Sequence, residues 1–302
     1  MKEGHELRWG GIAGILALIV AIIARIVAWN APGITEHAGL IGGYVGQHRG
    51  HMLWAALLTT IAAALFLWFG VALAAAFRRG EARHADLTDM AGARAEETRP
   101  PGTPAAGGHA PGTYPGEGVH GPGTHPAAGG RPEGVRGEHA RAASVRRYGF
   151  SDLPALVLAG FVVVVTLGFV GAAVYAGTAY VFSVNRGLLP LAAVPYTGVT
   201  LMGLLSGIAW ALLFAAIAGA IIRTAVLPQW MAWFAIIVAI IAFLSALALG
   251  ITGGVLAPRS FLVGWLPMIL VGLWTLVASG LLIREHLPFA TRTVEARPAM
   301  GH

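Results

Sequence analysis

Residues 153–179 read LPALVLAGFVVVVTLGFVGAAVYAGTA, twenty-seven positions without one charged side chain. A helix rises about 1.5 Å per residue, so this run covers about 40 Å, more than the roughly 30 Å hydrocarbon core of a bilayer. A helix at the surface of a soluble domain is apolar on one stripe and polar on the other, whereas this one has no polar side to offer water. Five more stretches have the same character: roughly Trp9 to Trp29, Met52 to Phe77, Thr200 to Ile222, Trp230 to Gly250 and Phe261 to Ile283. None of the six holds a carboxylate. They predict an all-α fold, a polytopic transmembrane bundle of six spans.

Composition agrees. Charged residues make up 11% of the 302 and apolar residues 56%, where soluble domains carry about 25% charged residues; mean hydropathy is +0.70. The first stretch follows Lys2 and Arg8 as a signal peptide would, but its apolar run is too long and no small-x-small cleavage site follows, so it reads as a retained anchor. The net charge of +6 and isoelectric point near 10.3 do not make a nucleic-acid binder, because the basic residues neither cluster on a folded face nor alternate with aromatics. With no cysteine there is no disulfide, thiolate nucleophile or Cys-based metal centre. Lys2 is the single lysine among twenty basic residues, and with the heavy use of Ala and Gly this suggests a GC-rich bacterial source.

Cytoplasmic flanks of spans collect basic residues. With the N-terminus inside, sixteen Lys and Arg fall on the cytoplasmic side and three, Arg49, Arg186 and Arg259, fall outside. Arg25 lies within the first span, about one turn before Trp29, and is expected to snorkel to the outer interface. The expected layout is an N-terminal membrane pair over 1–78, a disordered cytoplasmic loop over 79–150, a four-helix membrane region over 151–286 and a cytoplasmic tail over 287–302. The loop repeats Pro-Gly-Thr at Pro101, Pro111 and Pro122, and the ten Arg from Arg78 to Arg147 are nearly matched by nine acids from Glu81 to Asp152. It has little apolar surface to offset the entropy of ordering, so it reads as a linker or a docking segment for a protein partner.

Five glycines from Gly39 to Gly50 break an otherwise apolar outer segment and argue against a regular helix interior, so a flexible or re-entrant loop is expected at least as much as the close helix packing that the Gly39–Gly43 and Gly46–Gly50 spacings match. That segment ends in Gln47-His48-Arg49-Gly50-His51. His48 and His51, three apart, share a face if the second helix starts early enough, and His37 lies in the same segment. These three imidazoles are the candidate ligands for a metal ion or haem; the plainer reading is that they are interfacial residues with Glu36 as the nearest acid. The loop histidines His84, His109, His120, His125 and His139 lack tight ligand spacing.

Catalytic signatures are missing: no phosphate-binding loop, no His-Glu-x-x-His, no intramembrane carboxylate pair. Gly203-Leu-Leu-Ser206-Gly207 is not a nucleophile elbow, and both of its glycines read as helix-packing positions. Thr166, Ser206, Ser245, Thr275 and Ser279 are the mid-span hydroxyls of the last four spans, each expected to bond its own helix backbone. Tryptophans 9, 29, 54, 230, 233 and 265 fall near span ends, as interfacial anchors do.

The turn Val226-Leu227-Pro228-Gln229-Trp230-Met231-Ala232-Trp233 resembles the Leu-Pro-Arg-Trp-Leu-type entry to the penultimate helix of a group of uncharacterised actinobacterial multi-helix membrane proteins. The similarity extends over the last hundred residues, with Gln229 where that group has a basic residue. It implies a helical membrane fold and carries no activity. The function expected from the residues is non-enzymatic: an accessory subunit, or a handler of a small or lipid-like ligand, in the plasma membrane with both termini cytoplasmic. The alternatives are a metal- or haem-binding membrane protein and a passive channel or carrier.

Overall fold

The computed structural model of the chain describes residues 3–33, 36–97, 152–248 and 261–284. Among them every regular element is helical: α1 (Glu3–Val27), α2 (Ala38–Gln47), α3 (Arg49–Glu97), α4 (Leu153–Val184), a 3₁₀ segment (Arg186–Ala192), α5 (Ala193–Thr224), α6 (Gln229–Leu247), α7 (Phe261–Gly264) and α8 (Leu266–Arg284). Six of them, α1, α3, α4, α5, α6 and α8, are long and apolar enough to cross a membrane. Between 28% and 44% of the residues in each apolar window are buried inside the fold. Many of the others are exposed Leu, Ile, Val and Trp, which in water would be an intolerable apolar surface and in lipid is the expected one. The protein is therefore a multi-pass helical bundle.

The chain divides into two compact units, Met1–His84 with Asp152–His302, and Ala85–Ser151. In the first, the spans pack in a circuit that ring contacts also cross. Gly10 of α1 lies against Ala72 of α3, and Gly70 of α3 receives the ring of Phe161 from α4. α4 packs on α5, α5 on α6, α6 on α8, and α8 returns to α1. The middle of this circuit is filled by aromatic rings. Phe66 meets Phe161 at 5.0 Å and Trp210 at 5.4 Å, and Phe214 meets Trp274 edge-on at 5.2 Å. The buried Trp274 indole donates to the Met231 carbonyl at 3.2 Å, so α8 is pinned to α6 by a polar bond as well as by packing.

The Pro-Trp turn between α5 and α6 has a local cause. α5 closes on Ala225 in the left-handed conformation (φ 49°), whose amide donates to Ile221. Such C-caps usually take Gly, and Pro shortly beyond prevents the helix from continuing. Pro228 then sits at the N-cap of α6 with extended backbone.

Two expectations need correction. The glycine-broken segment is not an irregular loop: residues 38–47 form the regular helix α2, which rests on the 3₁₀ segment and α4. Its tight packing position is Gly42, where a Cβ would stand 2.7 Å from the Leu189 carbonyl; Gly39, Gly43 and Gly50 face open space. Burial of Ile41, Tyr44 and Val45 outweighs the glycine propensity cost, which is about 1 kcal/mol per residue. The second correction concerns residues 79–97, expected to be disordered. They are helical, the continuation of α3 through an Ala-, Arg- and Glu-rich run of good helix formers. The remainder of the expected loop, 98–150, and the tail 287–302 lie outside the described residues.

Candidate functional site

Above the aromatic rings, toward the α2 end of the bundle, the spans do not close. A partly open cavity of about 410 Å³ lies among α1, α3, α4 and α5. Small side chains create it: Ala21, Ala24 and Ala28 on α1, Ala55, Ala56 and Ala62 on α3, and Gly168, Gly171 and Ala172 on α4. From Val164 to Tyr175, the α4 wall covers about 16 Å along the helix axis. Trp210 belongs both to this lining and to the ring cluster, so it forms the boundary between hollow and solid. The polar groups on the lining are few: Arg25, Thr59, Tyr175 and Ser206. Two of them are engaged locally, Thr59 on the Ala55 carbonyl at 2.7 Å and Ser206 on the Gly203 carbonyl at 2.6 Å.

Gly203 and Gly207, one turn apart on α5, take different roles. A Cβ on Gly207 would stand 2.5 Å from the Ala242 carbonyl of α6, which is the packing role expected. A Cβ on Gly203 would meet nothing within 4 Å, because Gly203 lines the cavity. The hydroxyls also divide. Ser206 and Ser245 bond their own helix backbones as expected. Thr275 and Ser279 do not: both are buried on α8 and their hydroxyls have no hydrogen-bond partner among the described residues. The Ser279 oxygen lies in the space opened by Gly14 of α1, aimed across the helix interface rather than back along its own turn.

Arg25 stands at the rim. Its guanidinium carbon lies 5.0 Å from the centroid of the Trp265 ring, and Trp29 meets the same indole at 5.2 Å. The attraction of a cation for an aromatic face fixes the side chain across the top of the cavity. Trp9, Trp29, Trp54, Trp230 and Trp233 are exposed, as anchors are, while Trp265 is occupied by Arg25.

Three tyrosines cap the same end. Tyr196 lies 6.4 Å from Tyr44 and 6.0 Å from Tyr175, and its hydroxyl donates to the Pro32 carbonyl at 2.8 Å. That bond holds the segment after α1 against the start of α5. Tyr44 and Tyr175 share a hydroxyl hydrogen bond. Burial raises the Tyr44 phenol above its ordinary value of 10.0, opposed by the bond to Tyr175, so Tyr44 is neutral at physiological pH.

The candidate metal ligands are only partly brought together. His48 stacks on Tyr44 at 4.7 Å, and its ring centroid is 5.7 Å from that of His51. His48 Nδ1 lies 3.3 Å from the Tyr44 carbonyl, an arrangement that leaves Nε2 available. His37 caps the opposite end of α2, the length of a ten-residue helix away. Among the described residues no three His, Asp or Glu side chains gather as a metal would need.

The cavity was not foreseen, since a run of Ala and Gly in a span reads equally well as close packing. No protein-family model, no curated protein and no solved structure matches this chain, so the similarity at the 226–233 turn carries no assignment.

Proposed function

We propose that this is a non-enzymatic protein of the bacterial plasma membrane that holds a small or lipid-like molecule in the cavity among α1, α3, α4 and α5. The size and lining of that cavity carry the reading. Its volume of about 410 Å³ falls in the range of about 300–1,000 Å³ typical of ligand pockets, and its lining is mostly apolar. The aromatic cluster beneath it favours a blind pocket over a conducting pore. The Arg distribution supports cytoplasmic termini, with α2 and the cavity toward the outside.

Gly171 and Gly203 supply the test, because both line the cavity and a Cβ at either would meet nothing within 4 Å. Native mass spectrometry of the purified protein should show a co-purifying apolar molecule that a Gly171→Leu/Gly203→Leu variant of unchanged stability lacks. Identical spectra from both would refute the reading. For orientation, protease added outside right-side-out vesicles should spare the chain between α3 and α4 and cut it after lysis.

A second reading, a metal site, draws support from the His48–His51 pair and the free Nε2 of His48. It would need further ligands from solvent or a partner. Elemental analysis of the tag-free protein against a His48→Ala/His51→Ala variant decides it, since equal metal content in the two would end it.

A further inference from the structure

The cavity joins a long apolar wall to a single cationic group at its rim. No acidic side chain lines it, and among the described residues no ion pair of Arg25 with a carboxylate is seen; its guanidinium lies over the π face of Trp265 and close enough to the Tyr175 phenol to interact with it. A guanidinium at the rim of an apolar hollow is favoured by a counter-charge there, and charged residues within spans mark ligand paths or pairs. Cation–π contact occupies one face of the planar guanidinium and leaves its N–H edges to donate. Those edges match two oxygens of an acid, side by side.

We infer that the occupant is a single-chain monoanionic amphiphile, a fatty carboxylate, with its head paired to Arg25 and its tail running down the Ala- and Gly-lined wall toward Trp210. This rests on the cavity being a ligand site and adds the class of ligand. Several observations converge on that class. One Arg with no second cation on the lining matches one negative charge. Thr59 and Ser206 are tied to their own helices, so the wall below the rim offers a tail no competing polar demand. The distribution of polarity is therefore that of an amphiphile: a donor edge at the top, hydrocarbon beneath and an indole at the base. A neutral lipid would leave the guanidinium unpaired, and a small anion would leave the hollow unfilled.

The test uses the full-length protein in nanodiscs and a brominated stearic acid, which quenches tryptophans it touches. The Gly171→Leu/Gly203→Leu variant measures quenching by probe dissolved in the bilayer. The inference predicts saturable quenching above that background, displaced by laurate. Methyl laurate should compete at least about tenfold less well, and Arg25→Gln should weaken the probe by a similar factor, since a charged bidentate pair is lost. Arg25→Lys, which keeps the charge but not the fork, should fall between. If methyl laurate competes as well as laurate and Arg25→Gln binds as wild type, the carboxylate assignment is overturned while the ligand cavity stands. If wild type and the filled variant quench alike, the cavity reading itself fails. If acetate or inorganic phosphate displaces the probe as strongly as laurate, the site takes a small anion and the amphiphile is refuted.

Discussion

Replacing Gly203 and Gly207 separately by Ala isolates what the bundle requires of each position. Both lie within α5, Gly203 after Met202 and Gly207 after Ser206, and both gain the same helix propensity, about 0.5–1 kcal/mol for Gly→Ala. At Gly203 nothing lies within 4 Å of the added Cβ, so the propensity gain should appear whole. At Gly207 the Cβ would lie 2.5 Å from a backbone carbonyl oxygen and 3.2 Å from the Ala246 Cβ. A carbonyl inside a helix cannot swing aside, so α6 must move away along its length. Overpacking of this kind costs about 1–3 kcal/mol, which outweighs the propensity term and leaves a net loss of roughly 1–2 kcal/mol. The two variants should thus differ in sign and be separated by about 2 kcal/mol. Equilibrium unfolding in mixed micelles, followed by the far-ultraviolet signal, measures both. If Gly203→Ala destabilises as much as Gly207→Ala, the cavity wall is misplaced.

Other outcomes follow from single contacts. Ser279→Ala removes a buried hydroxyl that has no partner among the described residues, so it should leave the protein as stable or up to about 1 kcal/mol more so in the same unfolding assay. Tyr196→Phe deletes the 2.8 Å bond to Pro32, costing about 1 kcal/mol, and should speed limited proteolysis between α1 and α2. The raised Tyr44 phenol binds its proton more tightly folded than unfolded. Its contribution to stability is whole below pH 10 and is lost as pH rises above that, so alkaline unfolding should be less steep in Tyr44→Phe.

The spans were legible because length and the lack of charge determine them almost alone; their boundaries were not, since α3 runs twenty residues past Phe77 and α5 begins seven before Thr200. α2 was not legible, because its five neighbouring glycines argue for a loop while the burial that overrides them comes from Leu189, about 150 residues away in sequence. The continuation of α3 past residue 79 was masked by the Pro- and Gly-rich stretch that follows it. Arg25 could be placed on its helix but not against Trp265, a partner 240 positions distant. His48 and His51 met as their spacing implied, whereas His37, close in sequence, was carried to the far end of α2 by the helix between them. The hollow left no mark at all, since Ala and Gly look the same whether a neighbour presses against them or stays away.

A bundle that is solid with rings at one level and hollow at the next is not mechanically uniform. Close-packed aromatics resist compression, while walls that lack contacts across a void can be pushed inward. Lateral squeezing by the surrounding bilayer would therefore be taken up almost entirely in the hollow half, with the ring layer as the stiff fulcrum about which the free helix ends bend.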